Sequence, residues 1–316
     1  RFEEGTLDVY NVGGYQWGIP YSETTVSCVY YNKTMFDELG LEEPKTLDEL
    51  QHCADVIREE KGIANPWIHQ GAILGYAQTS HNESIAKAED WLSGNSSFVN
   101  DETIEAFAMI GELFERGILT KDSLNTDDTG MKALFAQQEA AMFYGGTWEY
   151  APVLEIVGDT FEVGVFMFPE MADGLVPQGS GAADDGIAVA SNCNKEHADM
   201  VVKFLEFMTR PENAQLTIGA TEPILPVIKG VEAVDMPCAE ELMSFVPQNI
   251  MYIDWMLPAE INDALAGVAS GEVTPEQAAQ SVQDAYETVV REKDYSYDWY
   301  NDWTEEQWAA VELKAG

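Results

Sequence analysis

Val26-Ser27-Cys28-Val29-Tyr30-Tyr31, then Thr34–Leu39 closed by Gly40, then Pro44-Lys45-Thr46-Leu47-Asp48-Glu49-Leu50: this stretch decides the fold class. Its first six residues are β-branched or aromatic with one Ser and one Cys, the composition of a strand. The next block is a short helix with Gly40 at its end. In the third, Thr46 is an N-cap and Glu49 follows three residues later, the spacing of a capping box. Leu47, Leu50, Cys53, Ala54 and Ile57 then fall on one helical face, and Gly62 ends the helix. Strand, helix and helix in close succession predict an α/β architecture.

The alternation continues outward. Asn100 caps an amphipathic helix over Asp101–Arg116 that Gly117 closes, and a short helix near Gly130–Gln137 leads to a strand at Ala140–Tyr144. Gly145-Gly146-Thr147-Trp148 then turns into another helix. Phe161–Phe168 alternates like a strand, and Gly186–Ala190 reads as a short buried one. Beyond Lys195 the chain is mostly helical, with Val201, Phe204, Leu205 and Met208 on one face. Further helices are expected over Ile261–Ala269 and Pro275–Arg291, the second with Thr274 as cap and Pro275 at its first position. Residues 63–99 read as loop-rich.

The 316 residues carry 16 Lys plus Arg against 56 Asp plus Glu, a formal net charge of −40. So acidic a chain repels phosphate backbones and anionic lipid, which excludes nucleic-acid partners and polybasic membrane docking. The chain is 46% hydrophobic and 11% aromatic, enough for a substantial core. No apolar run approaches the ~18 residues of a membrane span. Of the four cysteines, Cys28, Cys53, Cys193 and Cys238, none forms a CxxC pair. Four buried thiols and a Cys28–Cys53 disulfide are both compatible with the spacing.

Catalytic signatures are missing. His52, His69, His81 and His197 are scattered without metal-ligand spacing, and there is no nucleophile elbow, phosphate loop or dinucleotide fingerprint. No cofactor is expected. Asp294, Ser296, Asp298, Tyr300, Asp302 and Glu305 occupy the ligand positions of a calcium loop, but Trp299 stands where the turn requires Gly. The informative residues are aromatics at loops and turns: Trp17, Tyr21, Trp67, Trp148 and Trp255. A flat ring flanked by carboxylates and amides suits a sugar, whose C–H face stacks on the ring while polar groups take the hydroxyls.

Ordered motifs add a resemblance. Gly18-Ile19-Pro20-Tyr21, Tyr30-Tyr31-Asn32-Lys33 with Phe36 to Gly40, and Pro44 to Leu50 follow in sequence. Phe135 to Met142 with Gly146-Thr147-Trp148 comes next, then Gly186-Ile187-Ala188-Val189 with Asn194-Lys195, then Pro223 to Pro226. Gly271 to Ala278 completes the series. Together they resemble the carbohydrate-binding solute receptors of ABC transporters, the family that includes maltose-binding protein. Gln138 stands where that family more often has Gly, and Leu47 where it has Trp.

The resemblance implies a two-lobed periplasmic-binding-protein-like fold with hinge-linked lobes. Residues 1–25 and 185–234 would form the N-terminal lobe, and 26–184 and 235–316 the C-terminal lobe. The family carries a βαβ-rich segment before G-[IV]-P-Y, at ~30 residues per unit; only Arg1–Trp17 stand there, so the N-terminal lobe is expected to be incomplete. The resemblance also implies ligand contacts from Tyr21, Thr25, Trp67, Trp148, Asp184, Asp185 and Trp255 in an interlobe cleft, with Trp148 as the stacking ring. It implies no enzymatic activity, a neutral oligosaccharide as ligand, delivery to an ABC permease, and a monomer. The location implied is the periplasm or the outer face of the bacterial cell membrane, with membrane attachment only through a lipid anchor upstream. The rival expectations are a glycoside-processing enzyme and a calcium-dependent adhesion module.

Overall fold

The computed structural model describes residues 1–12, 15–68, 96–120, 126–170, 181–183, 186–190, 193–219, 223–243, 258–293 and 304. Its strands are β1 Asn11–Val12, β2 Tyr15–Gln16, β3 Gly18–Pro20, β4 Thr24–Asn32, β5 Trp67–Ile68, β6 Met142–Gly146, β7 Val163–Phe166, β8 Gly181–Ala183 and β9 Gly186–Ala188. Its helices are α1 Lys33–Leu39, α2 Leu47–Lys61, α3 Asp101–Glu115, α4 Asp128–Ala136, α5 Tyr150–Val157, α6 Lys195–Met208, α7 Pro211–Thr217, α8 Ala239–Met243, α9 Pro258–Ser270 and α10 Pro275–Lys293. The described residues divide into two compact units, one from Arg1–Thr25 and Ala182–Asp235, the other from Val26–Gly181 and Met236–Asp294.

The larger unit is built on a sheet of order β5-β6-β4-β7, with β8 also paired to β4. β4 is antiparallel to β6 and β7, while β5 runs parallel to β6. From Val26 to Asn32 every residue of β4 is buried, as a central strand with both faces covered requires. Tyr30 stacks on Phe143 at 4.8 Å, and Tyr31 meets Phe36 and Phe166 at 4.7 and 5.3 Å. α2 buries Leu47, Leu50, Cys53, Ala54 and Ile57, the face read from the sequence. Its cap is a variant of the expected box: Thr46 Oγ1 accepts the Glu49 N–H, and the Glu49 carboxylate accepts the N–H of Lys45. α3, α9 and α10 pack on one another. Gly111 of α3 makes the close approach, since a Cβ there would lie 3.2 Å from Val268.

Asn32 ties strand to helix. Its Oδ1 accepts the Met35 N–H at 2.9 Å as the cap of α1, and its amide donates to Gln138 Oε1 at 3.4 Å, all at 1% exposure. Gln138, at the position where Gly is usual in the resembled family, takes φ 60°, a left-handed turn that a non-glycine side chain adopts only with strain.

In the smaller unit β3 pairs antiparallel with β9, and Phe2 and Tyr21 pack against a core of Ala214, Ile218, Val227, Ile228 and Val231. Two expectations change here. β9 ends at Ala188 and is exposed to half-buried along its length, not buried. On α6 the expected face is partly covered: Val201, Leu205 and Met208 are half-buried and Phe204 is exposed, as are Met200, Val202 and Phe207 beside it. An apolar pattern specifies which face can be covered; full burial requires a covering element, which the described residues supply only in part.

All four cysteines are free thiols, so the disulfide alternative is not realised. Cys28 is sealed in the middle of β4, and Cys53 on α2 points its thiol at the Glu42 carbonyl. Burial pushes the Cys28 thiol far above its ordinary range, Cys53 to about 11 and Cys238 to about 12. Alkylation of the native protein at mildly alkaline pH should therefore label half-exposed Cys193 first, with Cys28 and Cys53 labelled only after unfolding; peptide mass spectrometry reads the order. Asn32→Ala should lower stability by about 1–2 kcal/mol in urea unfolding, through loss of the cap and its buried hydrogen bond.

Candidate functional site

The corner that follows β6 presents the most distinctive side chain. Register pairs Ser27 with Gly146 and Cys28 with Gly145, so the end of β6 is set by the central strand. The Tyr30 hydroxyl donates to the Gly146 carbonyl at 2.7 Å. One turn of 3-10 helix, Thr147–Glu149, follows, and α5 begins at Tyr150. Thr147 points inward at 2% exposure, its hydroxyl oxygen accepting the Val26 N–H at 3.4 Å. Glu149 also points inward, at 5% exposure, and accepts from Lys132 Nζ at 2.7 Å.

Between these two buried neighbours Trp148 points outward, 48% exposed. Its ring lies over Gly146: a Cβ there would sit 2.0 Å from the indole, so a side chain at 146 and this ring pose exclude each other. Gly145 is equally constrained, because a Cβ would come within 3.1–3.3 Å of Phe143, Tyr30 and the Glu149 stem. The result is a large apolar ring held on a rigid support with one face available, the arrangement a stacking contact needs.

The charges around Glu149 form a triad. Lys132 on α4 contacts Asp128 at 2.6 Å and Glu149 at 2.7 Å. Burial raises the Glu149 pKa most strongly; the Lys132 hydrogen bond pulls it back, and the Asp128 charge pushes it up again. For Lys132 burial acts downward, yet its two carboxylate partners together raise it. The two directions agree physically: one cation shared by two anions is stabilised, while the deeper anion bears the excess negative charge. Neither Lys132 nor Glu149 stood out in the sequence. The Asp128–Lys132 i,i+4 spacing was visible, but nothing in it foretold that Glu149 turns inward.

The other expected contacts are distributed. Tyr21 is half-buried against the core of the smaller unit, and Thr25 is half-buried in β4. Trp67 is 2% exposed, edge-on to Phe168 at 5.5 Å, and its indole N–H has no hydrogen-bond partner among the described residues. Register sets Trp67 opposite Met142, four positions before Gly146, or ~13 Å along the sheet at ~3.3 Å per residue. Trp67 and Trp148 are therefore not brought together, and Trp67 sits in strand β5 within the core rather than on a loop. Asp184, Asp185, Trp255 and the acidic segment Asp294–Glu305 (Thr304 apart) lie outside the described residues. No group among the described residues has the donors to hold a metal ion.

The raised Glu149 pKa has a signed consequence. Its contribution to stability is fully present below the ordinary glutamate range and is lost as pH rises through the raised value. Glu149→Gln should remove that loss, so the wild-type-minus-variant difference in urea-unfolding stability becomes more negative with rising pH across this window.

Comparison with known proteins places the chain. Residues 4–244 match the family model for bacterial extracellular solute-binding proteins. The multiple sugar-binding protein of Streptococcus mutans is 27% identical over 213 residues, covering 63% of this chain and 49% of that protein. The sn-glycerol-3-phosphate-binding periplasmic protein of Escherichia coli strain K12 is 27% identical over 206 residues, covering 62% of this chain and 45% of that protein. The chain thus spans about half the length of the curated relatives it matches. Among solved structures, apo RafE from Streptococcus pneumoniae superposes with TM-score 0.72 at 21% identity, covering 91% of this chain and 75% of that one. RafE with raffinose bound superposes at 0.71 and 20% identity, covering 91% and 77%. With a family model matched over most of its length and the fold shared, this chain belongs to the bacterial extracellular solute-binding protein family.

Proposed function

We propose that this chain captures a neutral saccharide outside the cytoplasmic membrane and delivers it to an ABC permease, as part of a monomeric receptor tethered by a lipid anchor. The observation that carries the reading is the Trp148 corner: an indole 48% exposed yet fixed over Gly146, with Thr147 and Glu149 buried on either side. An exposed aromatic on a mobile loop would lose entropy on ordering; one already supported by the sheet binds without that loss. In this reading the two compact units are the two lobes, and Tyr21, Thr25, Asp184, Asp185 and Trp255 supply further contacts. Trp67, sealed under Phe168, is a core residue.

Neutrality of the ligand follows from charge. The chain carries 56 acidic against 16 basic residues, and the cation nearest Trp148 in sequence register, Lys132, is bonded to both Asp128 and Glu149. A phosphate needs an uncommitted cation or a cluster of N–H donors. The relative named for sn-glycerol-3-phosphate makes that anion the natural competing ligand, and the name of the S. mutans relative supports sugar. The binding proteins among the relatives favour capture over hydrolysis.

Isothermal titration of the full chain with neutral mono- to tetrasaccharides, and with sn-glycerol-3-phosphate beside them, tests this. The expected result is micromolar or tighter binding of a neutral sugar, weakened about 30-fold by Trp148→Ala, or ~2 kcal/mol. No reducing ends should be released on prolonged incubation. Tight binding of the phosphate ester with none of the sugars, or an affinity indifferent to Trp148→Ala, overturns the reading.

A further inference from the structure

We propose that Lys132 is a positioning residue for ligand binding: its ion pair with Glu149 holds the Thr147–Glu149 turn down and thereby fixes Trp148 over Gly146. The inference deepens the saccharide-binding reading and rests on it for its functional consequence.

The turn that carries Trp148 starts from Gly146, whose carbonyl accepts from the Tyr30 hydroxyl at 2.7 Å. It is one turn of 3-10 helix, a form whose hydrogen bonds are poorer than those of an α-helix, and its backbone bond runs from the Tyr150 N–H to the Thr147 carbonyl. Two of its own side chains anchor it further. Thr147 is tied to the Val26 N–H at the long distance of 3.4 Å, a weak bond. Glu149 is tied to Lys132 at 2.7 Å, a charge-assisted bond and the stronger anchor. The Lys132 side chain is 16% exposed and that of Glu149 is 6%, so solvent screens the pair little.

Removing Lys132 leaves Glu149 buried, charged and unpaired, with the Asp128 carboxylate drawn to the same cation in the native protein. That state is strongly unfavourable, and the short way out is to swing Glu149 to solvent. In the proposal the swing moves the turn as a unit. Glu149 and Trp148 are adjacent on a three-residue turn, and the Glu149 stem packs over Gly145 while the indole packs over Gly146. Turning one outward rotates the peptide that carries the other, and the indole leaves its support.

The experiment combines hydrogen exchange with a double-mutant cycle on the full chain. Lys132→Met keeps the length of the side chain and removes the charge; Lys132→Arg restores it. In Lys132→Met the Tyr150 amide should exchange about tenfold faster than in wild type, with β4 amides unchanged, and Lys132→Arg should behave as wild type. Against the saccharide that the wild type binds, Lys132→Met should weaken affinity about tenfold, and should add nothing in a Trp148→Ala background. A merely structural Lys132 would weaken both backgrounds equally, or speed exchange throughout the sheet; either result overturns the proposal, as does unchanged exchange at Tyr150. Where Lys132→Met does not fold, Lys132→Gln, which removes the charge but keeps a hydrogen-bond donor, is read in the same way. If the wild type binds no saccharide, the functional reading fails by itself, and exchange at Tyr150 still decides whether Lys132 holds the turn.

Discussion

The pairing of β4 with β6 is the constraint on which the larger unit depends. β4 contributes seven consecutive buried residues, Val26 to Asn32, and each of its ends starts something else. At one end Asn32 caps α1 and holds Gln138 across the sheet. Toward the other, Val26 donates to Thr147 and Tyr30 to Gly146. A one-residue slip of this register would reverse every side chain and disconnect both ends at once. The candidate site is thus an outgrowth of the sheet.

That dependence explains why glycines border the Trp148 corner. Gly145 and Gly146 both have extended surroundings with no need for a left-handed backbone; their role is to leave space. Tyr30, Phe143 and the Glu149 stem occupy the space over Gly145, and the indole occupies that over Gly146. The same corner holds an ionic triad whose deepest member is Glu149, 6% exposed at its side chain, while Lys132 is 16% and Asp128 42% exposed. Burying a carboxylate one residue from a half-exposed tryptophan is a cost that hydrophobic packing would avoid, which ties the charge to the geometry of the turn.

Local signals in the sequence were faithful where one element decides the outcome. Thr46 caps α2, Asn100 caps α3, and Thr274 forms a reciprocal box with Gln277 at the start of α10. The apolar face of α2 is buried residue for residue. The signals were less faithful where a second element decides. Gly186–Ala190 has the composition of a buried strand and is not covered along β9, and on α6 Phe204 of the apolar face is exposed while Val201, Leu205 and Met208 are half-buried. Trp67 and Trp148 looked alike, each an aromatic near glycines or prolines; one closes the core against Phe168 and the other faces outward.

By itself, then, the sequence determined the α/β class, the caps of α2, α3 and α10, the acidic character that turns away polyanions, and the ordered motifs of a solute-binding protein. These are properties of neighbouring residues or of the summed composition. Only the tertiary structure decided which tryptophan is sealed and which is presented, that the cysteines are thiols, and that Lys132 pairs with Glu149. The reason is sequence separation: Lys132 reaches Glu149 across 17 residues, and Val26 reaches Thr147 across 121. Contacts of that kind arise from strand register and side-chain direction, which no local window of sequence contains.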